Sequence, residues 1–586
     1  MDNSSKTCDH LLQSIDDEIN SLEESTRALK SRLNELVPFS RLHPENLVSI
    51  FFFLSLSTWH DRPEKLVWRE KTGVMAWVCV THVCRRWRET ALNNPRFWSR
   101  IDLTKLTPVG MAEILARAKT APLHLEADIT EWSTERIVAF EKQLETHISH
   151  TRYLSISGRR LPILLDKLVS SAPILESLSL STKCPIIGSS SPQAIIPDDL
   201  FNRTTPNLTN LELEYCDISW MSPFLKGLRT LQISSLFSEA RPKLDDWLDV
   251  LNEMPQLEEL SLQYSTPLAP LNGALIREPS HSATLPSLTR FHISDSSKEC
   301  ALAFAHLVLP AFTRLHVDVE SKDWNREDVR LVIPYVVRNI CGTHDIEPLR
   351  SILFSGQGKR AQVVAWTMPD ADVNVRNPAT LLSESVSARL MFTATGNWNH
   401  EVETQIYDDL LTLLPETSVS TFSALNRTRL SKDFWLKQAT RFALLERVCL
   451  IPSAVKAFRD MLAEEAPPDG PRLPLLTKLT IIYLTWTLSK IYHFRDMLME
   501  RVEQGAPVEC LDLRGCEEPN PFRAKQIFAE IVVDVQGPLA STWDVRIGSR
   551  MGLKSGSHEE IEYRDDSDLE SWYTLDYPVE EVYDDY

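Results

Sequence analysis

Two short stretches of the sequence place arginine and histidine at matching positions and could therefore bind an anion. They read LTRFHI (288–293) and FTRLHV (312–317). Residues on either side of an inward-facing strand residue point away from the core. The spacing thus puts four side chains on one outward surface: Arg290, His292, Arg314 and His316. We predict a small cationic patch that accepts an acidic or phosphorylated peptide. Ordinary surface charge is the alternative.

No sequence pattern indicates a catalytic centre, a metal site or a cofactor. The stretch SGQGKR (355–360) lacks the spacing of a phosphate-binding P-loop. The ten cysteines contain no CxxC pair, so neither a zinc site nor a redox motif is expected. His82 and Cys84 lie two residues apart, and we interpret them as an exposed histidine beside a core cysteine.

The arginine and histidine positions belong to a phrase that recurs along the chain. It runs proline, any residue, an apolar residue, two residues, an apolar residue, one residue and a last apolar residue. Six copies begin at Pro173, Pro206, Pro255, Pro286, Pro310 and Pro474, and looser copies end at Ile233, Leu450 and Cys516. The last two apolar residues face one side of a short strand, and proline stops a preceding helix. Helix-compatible stretches such as 243–254 lie between copies.

This phrase resembles the leucine-rich repeat. That family continues past the last leucine to Asn or Cys, a place that Cys216 and Cys516 fit. The resemblance implies an α/β fold in which residues 101–550 form an irregular solenoid of parallel strands and helices. Residues 318–440 match the phrase poorly, and we include them in the array by continuity.

Residues 38–100 differ from the array and predict a small all-α segment. Pro44 fits the first position of a helix, where its missing N–H costs nothing, and Glu45 follows in the first turn. The apolar face of that helix comprises Leu47, Ile50, Phe51 and Leu54. A second helix is predicted from Val80, Val83, Cys84, Trp87 and Ala91, with Asn93, Asn94 and Pro95 ending it and Phe97 and Trp98 following.

These two helices in this order resemble the F-box, with an insertion at about 55–73. The resemblance implies binding to a Skp-type adaptor and, through it, to a cullin. The chain would then be a non-catalytic substrate receptor of a ubiquitin ligase, and its repeats would hold an unknown protein substrate. The implied adaptor contacts are Leu42, Pro44, Glu45, Leu47, Ile50, Phe51, Leu54, Val83, Cys84, Trp87 and Trp98. A leucine-rich-repeat scaffold acting outside a ubiquitin ligase is the alternative.

Residues 1–37 predict an amphipathic helix. Its apolar seam alternates spacings of three and four: Leu12, Ile15, Ile19, Leu22, Thr26, Leu29, Leu33 and Leu36. The seam is consistent with a helix docked on its own chain or left unpaired. It is also consistent with self-association of two chains through residues 12–36.

The net charge of the chain argues against two classes of binding partner. The 586 residues carry a net charge of −19, which argues against nucleic acid and membrane surfaces as partners. Part of this charge lies in residues 555–586, which we expect to be an acidic disordered tail. The N-terminus has no signal-peptide pattern, and unpatterned cysteines are typical of a reducing compartment. We therefore expect a cytoplasmic or nuclear protein.

Overall fold

The computed structural model describes most of the chain between residues 2 and 536. The described ranges are 2–60, 76–182, 194–236, 240–270, 281–320, 326–341, 347–356, 359–368, 388–396, 399–414, 418–426, 428–464, 467, 470–514, 516 and 527–536. The acidic tail therefore lies outside them. The chain divides into two compact units, Met1–Phe224 and Leu225–Tyr586. This division falls inside the segment that the sequence groups as one repeat array.

The first unit begins with helices and continues with a parallel sheet. Its helices are α1 (Asp2–Leu36), α2 (Pro44–His60), α3 (Arg85–Leu92), α4 (Pro108–Ala118), α5 (Thr134–His147) and α6 (Leu161–Leu165). Its strands are β1 (Arg100–Asp102), β2 (Leu123–Asp128), β3 (Thr151–Ser157), β4 (Ser177–Ser181), β5 (Ala194–Ile195), β6 (Asn210–Glu214) and β7 (Cys216–Asp217). Parallel pairing joins β1, β2, β3, β4 and β6 in that order, and β5 pairs with β7.

The second unit is mixed α/β with a mostly parallel sheet. Its helices are α7 (Leu244–Asn252), α8 (Ser297–His306), α9 (Arg326–Cys341), α10 (His400–Leu413), α11 (Lys432–Arg441), α12 (Pro452–Leu462) and α13 (Leu488–Glu503). The strands in its first half are β8 (Thr230–Ser234), β9 (Glu259–Gln263), β10 (Ala283–Thr284), β11 (Arg290–Ser296), β12 (Leu307–Val308) and β13 (Arg314–Glu320). Those that follow are β14 (Ser351–Gly356), β15 (Arg360–Trp366), β16 (Leu390–Thr395), β17 (Thr421–Asn426), β18 (Arg447–Leu450), β19 (Lys478–Ile482), β20 (Cys510–Arg514) and β21 (Asp534–Gln536). In the described part of the chain, no helix combines the length and the apolar content needed to cross a bilayer.

Every copy of the repeated phrase forms a strand. The six close copies contribute β4, β6, β9, β11, β13 and β19, and the looser copies contribute β8, β18 and β20. Neighbouring strands pair so that equivalent apolar residues lie side by side, as Leu260, Phe291 and Leu315 do on β9, β11 and β13. All three are at most 2% exposed. The predicted parallel strands are therefore confirmed. At each apolar position of the phrase, the equivalent residues of paired strands form one buried row.

A turn of one conformation follows four of these strands. The residue two positions past the last apolar residue has φ between 47° and 61° each time: Tyr215, Ser235, Tyr264 and Tyr483. Non-glycine residues adopt this left-handed region infrequently. The backbone N–H of the turn residue still bonds to the next strand, as Tyr264 N does to the Ser294 carbonyl at 2.8 Å. The repeated turn thus extends the backbone ladder by one residue.

The residue that follows the turn residue donates a side-chain hydrogen bond to a backbone carbonyl of the preceding strand. The Cys216 thiol donates to the Leu180 carbonyl (Sγ to O, 3.5 Å), and the Ser265 hydroxyl donates to the Ile233 carbonyl at 2.9 Å. Cys516 makes the same contact with Ile481 at 3.4 Å. Burial raises the pKa of Cys216 to about 12 and that of Cys516 to about 11, so both thiols keep the proton they donate. Ser265 therefore makes with its hydroxyl the contact that Cys216 and Cys516 make with their thiols.

Residues 351–395 depart from the simple order of strands. β13 pairs with β16, β15 runs antiparallel between β16 and β14, and β14 pairs in parallel with β17. Both faces of these strands are buried: Leu353, Val364 and Met391 join a cluster on one face, whereas Phe354 stacks on Tyr407 of α10 on the other. The parallel array assumed here by continuity is thus interrupted by an antiparallel meander.

A buried carboxyl lies beside Tyr407 on α10. The side chain of Glu403 is 1% exposed and accepts a hydrogen bond from the Tyr407 hydroxyl at 2.9 Å. His400 Nδ1 lies 3.4 Å from its other oxygen. Burial raises the pKa of Glu403 to about 7, because the ionised form loses its hydration. The folded chain therefore holds this proton up to a higher pH than the unfolded chain does.

We predict that Glu403 lowers the stability of the second unit as pH rises from about 4.5 to about 7. In this window the unfolded carboxyl has lost its proton and the folded one has not, so the free energy of unfolding falls, by about 3 kcal/mol at most. Denaturant unfolding at pH 8 should show Glu403→Gln to be more stable than wild type by about that amount. At pH 5 the difference should shrink below about 1 kcal/mol. An equal difference at both pH values would contradict the assignment.

Candidate functional site

The helical segment that precedes β1 is held together by aromatic side chains. Phe51 on α2 is fully buried, and its ring centroid lies 5.1 Å from that of Trp87 on α3. The ring centroid of Phe97, which follows α3, lies 5.9 Å from that of Phe51. Pro44 begins α2 as predicted, and the His43 carbonyl accepts the first helical hydrogen bonds. These contacts place α2 across α3.

Polar contacts fasten the ends of this segment. The Trp98 indole is 2% exposed and donates Nε1–H to the Ala91 carbonyl at 3.0 Å. Arg86 on α3 donates to the Leu42 carbonyl, which ties the turn before α2 to the second helix. Arg88 Nε donates to the Thr81 carbonyl at 2.8 Å. The backbone around α2 is therefore fixed by side chains of α3.

The prediction of one continuous helix from Val80 to Ala91 is wrong. Instead of one helix through Val80, Cys84 and Ala91, the chain forms a 3-10 helix over Ala76–His82 and then α3 from Arg85. Cys84 is extended at the start of α3 (φ −157°, ψ 169°). Apolar spacing continues across this break, so periodicity alone could not reveal it. Val83 consequently lies in the connection with 57% of its surface exposed.

The residues assigned to adaptor contact fall into three groups by burial. Leu47, Phe51 and Trp98 are buried and hold the segment together. Leu42, Cys84 and Trp87 are half-buried. The exposed members are Pro44, Glu45, Ile50, Leu54 and Val83. Only the last two groups offer surface to a partner while the segment stays folded.

The exposed side of α2 is apolar. Phe53 is 70% exposed, and Ile50 and Leu54 are 40% and 43% exposed. Phe53 and Leu54 follow Ile50 by three and four positions, so both lie beside it on one helix face. Phe53 is missing from the residues that the resemblance assigned, although the run of three phenylalanines at 51–53 indicates a helix apolar on more than one side. We call Ile50, Phe53 and Leu54 the α2 face.

The apolar seam of α1 is also exposed. The helix extends over Asp2–Leu36, and its seam residues from Leu12 to Leu36 are at least 49% exposed where they are large and apolar. The described residues do not show the seam docked on its own chain, and its exposure fits both an unpaired helix and self-association. Self-association stays a prediction.

The four arginine and histidine residues in the second unit lie where the strand pattern places them. In the parallel register of β11 and β13, Arg290 is opposite Arg314 and His292 is opposite His316. The residues between them are buried, so all four point to the outward face. The two imidazole rings stack with centroids 4.0 Å apart and planes inclined by 11°.

Carboxylates accompany these cations and reduce the positive charge of the patch. Arg290 pairs with Glu259 on β9, and both histidines contact Asp318 through Nε2, at 3.3 Å for His292 and 3.2 Å for His316. Burial opposes ionisation of Asp318, but hydrogen bonds from the two histidines outweigh it and hold the pKa of that carboxyl well below its usual range. Sequence reasoning missed Asp318, although it follows His316 by two residues and therefore shares its face.

No protein-family model and no curated protein matches this chain. The functional interpretation therefore depends on the residues and contacts described above.

We predict opposite outcomes for two phenylalanines of α2. Phe51→Ala removes a fully buried ring and should cost about 3–5 kcal/mol, whereas Phe53→Ala changes an exposed side chain and should stay within about 0.5 kcal/mol. Hydrogen exchange of the intact protein measures the change in the local stability of α2 and α3. Amides of α2 and α3 should exchange more than about 100-fold faster in the first variant and at the wild-type rate in the second. Exchange at the wild-type rate in the Phe51→Ala variant would show that Phe51 does not hold the segment together.

Proposed function

We propose that this chain is the substrate-recognition subunit of a Skp–cullin–F-box ubiquitin ligase. In this proposal, residues 38–100 act as an F-box that binds a Skp-type adaptor, and the leucine-rich-repeat-like strands bind the protein substrate. The chain performs no chemistry itself. It raises the local concentration of a substrate lysine near the ubiquitin-conjugating enzyme, in the cytoplasm or the nucleus.

The observation that carries the proposal is the α2 face. A segment of about 60 residues can bury only a small core, and here the core uses Leu47, Phe51 and Trp98. Phe53, Ile50 and Leu54 are left outside that core as a contiguous apolar surface. Exposed apolar patches of this kind typically mark protein-binding sites. The proposal assigns this one to the adaptor.

The strand array supports the other half of the proposal. Parallel strands paired in register present outward residues at regular spacing, which gives an extended recognition surface. Around β11 and β13, this surface carries Arg290, His292, Arg314 and His316 together with Glu259 and Asp318. We retain an acidic or phosphorylated peptide as the proposed ligand, with the exposed Arg290 and Arg314 as the cations and Glu259 as the competitor for Arg290.

The direct test is capture of a purified Skp-type adaptor by the full-length chain. Wild type should bind one adaptor per chain. Ile50→Ser with Phe53→Ser should weaken binding more than about 100-fold, because buried apolar anchors dominate interfaces. The double variant Leu42→Ala, Pro44→Ala should also weaken binding, since it alters the entry into α2. Ile163→Ser is the matched control, because Ile163 is 64% exposed on α6 away from this segment.

All variants must retain the wild-type circular dichroism spectrum for the comparison to hold. Wild-type affinity in both double variants would exclude the α2 region as the adaptor site. Absence of binding by the folded wild-type chain would instead favour the alternative, a scaffold whose repeats bind a protein partner outside any ubiquitin ligase.

We also propose that α1 pairs with the α1 of a second copy of the chain. Its seam is apolar, exposed and spaced for two-stranded packing. Sedimentation of the full-length chain should show the mass doubling as concentration rises. Leu22→Glu with Leu29→Glu should keep it at one chain, whereas the charge-matched control Ser21→Glu with Asn34→Glu, off the seam, should not. Concentration-independent sedimentation of the wild type as a single chain would contradict the pairing.

A further inference from the structure

The outward face of β11 and β13 contains a group of side chains that suits a metal ion. Nε2 of His292, Nε2 of His316 and a carboxylate oxygen of Asp318 all lie within 4.8 Å of one another. We propose that these three residues bind one divalent transition-metal ion of the zinc class and leave one coordination position open. This inference goes beyond the proposed function and does not depend on it.

The distances fit tetrahedral coordination. Asp318 Oδ2 lies 3.3 Å from His292 Nε2 and 3.2 Å from His316 Nε2. Two ligand atoms bonded to one zinc at about 2.1 Å with a tetrahedral angle are about 3.4 Å apart. Each Nε2 lone pair lies in the plane of its ring, so the two stacked rings, whose planes are inclined by 11°, must rotate away from one another before both nitrogens point at one ion. Two imidazoles and a carboxylate favour a transition metal over Mg²⁺ or Ca²⁺, which prefer oxygen ligands throughout.

Neighbouring polar groups support a ligand at this place. Among the described residues, Asp318 Oδ1 is buried and accepts no hydrogen bond from the protein. Thr393 pairs with Asp318 in the register of β13 and β16, and its hydroxyl is also buried without a partner there. Buried polar atoms are usually satisfied, so two unsatisfied oxygens side by side suggest that something else contacts them. A cation next to Asp318 would satisfy the carboxylate.

Ser261 provides the outer support that metal-bound histidines usually have. Its hydroxyl lies 3.1 Å from His292 Nδ1. A histidine that binds a metal through Nε2 carries its proton on Nδ1, and a hydrogen-bond acceptor there fixes the ring orientation. The Ser261 oxygen is placed to accept a hydrogen bond from that N–H.

Solvent can reach the site from one side. The side chains of His292, His316 and Asp318 are 23%, 34% and 27% exposed. Three protein ligands and an accessible fourth position are typical of sites where zinc keeps a water or takes a carboxylate from a bound molecule. Glu259 pairs with Arg290 and offsets its charge, and Glu320 accepts a hydrogen bond from the Tyr264 hydroxyl.

The rival arrangement is a metal-free network in which Asp318 accepts a hydrogen bond from each histidine. Titration of the chelator-treated full-length chain with Zn²⁺ and Co²⁺ separates the two. The proposal predicts one tight ion per chain, a Co²⁺ visible spectrum of tetrahedral intensity and no thiolate charge-transfer band. Asp318→Asn and His316→Ala should each weaken Zn²⁺ binding more than about 100-fold, and Zn²⁺ should raise the unfolding midpoint of wild type only.

His281→Ala is the matched control. His281 contacts Asp245 and Asp249 through opposite ring nitrogens, at 3.9 and 3.4 Å, so the three cannot chelate one ion. Its replacement should change the affinity less than about twofold. Ser261→Ala leaves all three ligands in place and should weaken binding about 10–100-fold, which keeps the test valid if Asp318→Asn fails to fold. Unchanged affinity in the ligand variants, or no saturable Zn²⁺ binding by folded wild type, would overturn the proposal.

Discussion

Parallel pairing of strands in one register determines most of what the second unit can do. In β9, β11 and β13, the residues Leu260, Phe291 and Leu315 lie side by side and are buried. Because side chains alternate along a strand, this pairing also aligns the residues on the opposite face. His292 meets His316 for that reason alone. A shift of one residue would bury the histidines and expose the apolar layer, so the core and the outward surface are set by the same hydrogen bonds.

The contacts at the ends of the strands also depend on this pairing. Left-handed residues such as Tyr215 and Tyr264 turn the chain so that Cys216 and Ser265 reach the carbonyl of the preceding strand. These contacts satisfy backbone groups at the strand ends, where the regular ladder stops. The strand, the left-handed turn and the side-chain contact occur together at Tyr215–Cys216 in the first unit and at Tyr264–Ser265 in the second. The meander of β14 to β16 lacks the phrase and is buried on both faces.

The sequence predicts this structure well where local pattern and tertiary contact agree. Strands at all nine copies of the phrase, the start of α2 at Pro44 and the helix within 243–254 follow from spacing alone. The antiparallel meander could not be predicted, because continuous apolar runs do not encode strand order. The break before α3 was hidden by apolar spacing that continues through Val83 and Cys84. For the candidate sites, the sequence identified the two histidines but not Ser261, which becomes a neighbour of His292 only through the register. Asp318 was missed although it lies two residues after His316 on the same strand.

The two candidate surfaces differ in physical character. The α2 face is apolar and exposed on a small segment whose own core is already formed by Phe51, Trp87 and Phe97. The outward face around β11 is polar, with cations and carboxylates in contact. The first surface suits a stable protein partner, and the second suits a charged ligand or an ion. A receptor that joins an adaptor to a substrate requires both kinds of surface.

Hydrogen exchange of the full-length chain, with and without a purified Skp-type adaptor, tests the central claim most directly. The account predicts that adaptor binding slows exchange in α2 and in the 76–92 region, and leaves β9, β11 and β13 unchanged. Protection confined to the strands, with α2 exchanging at its free rate, would contradict the account.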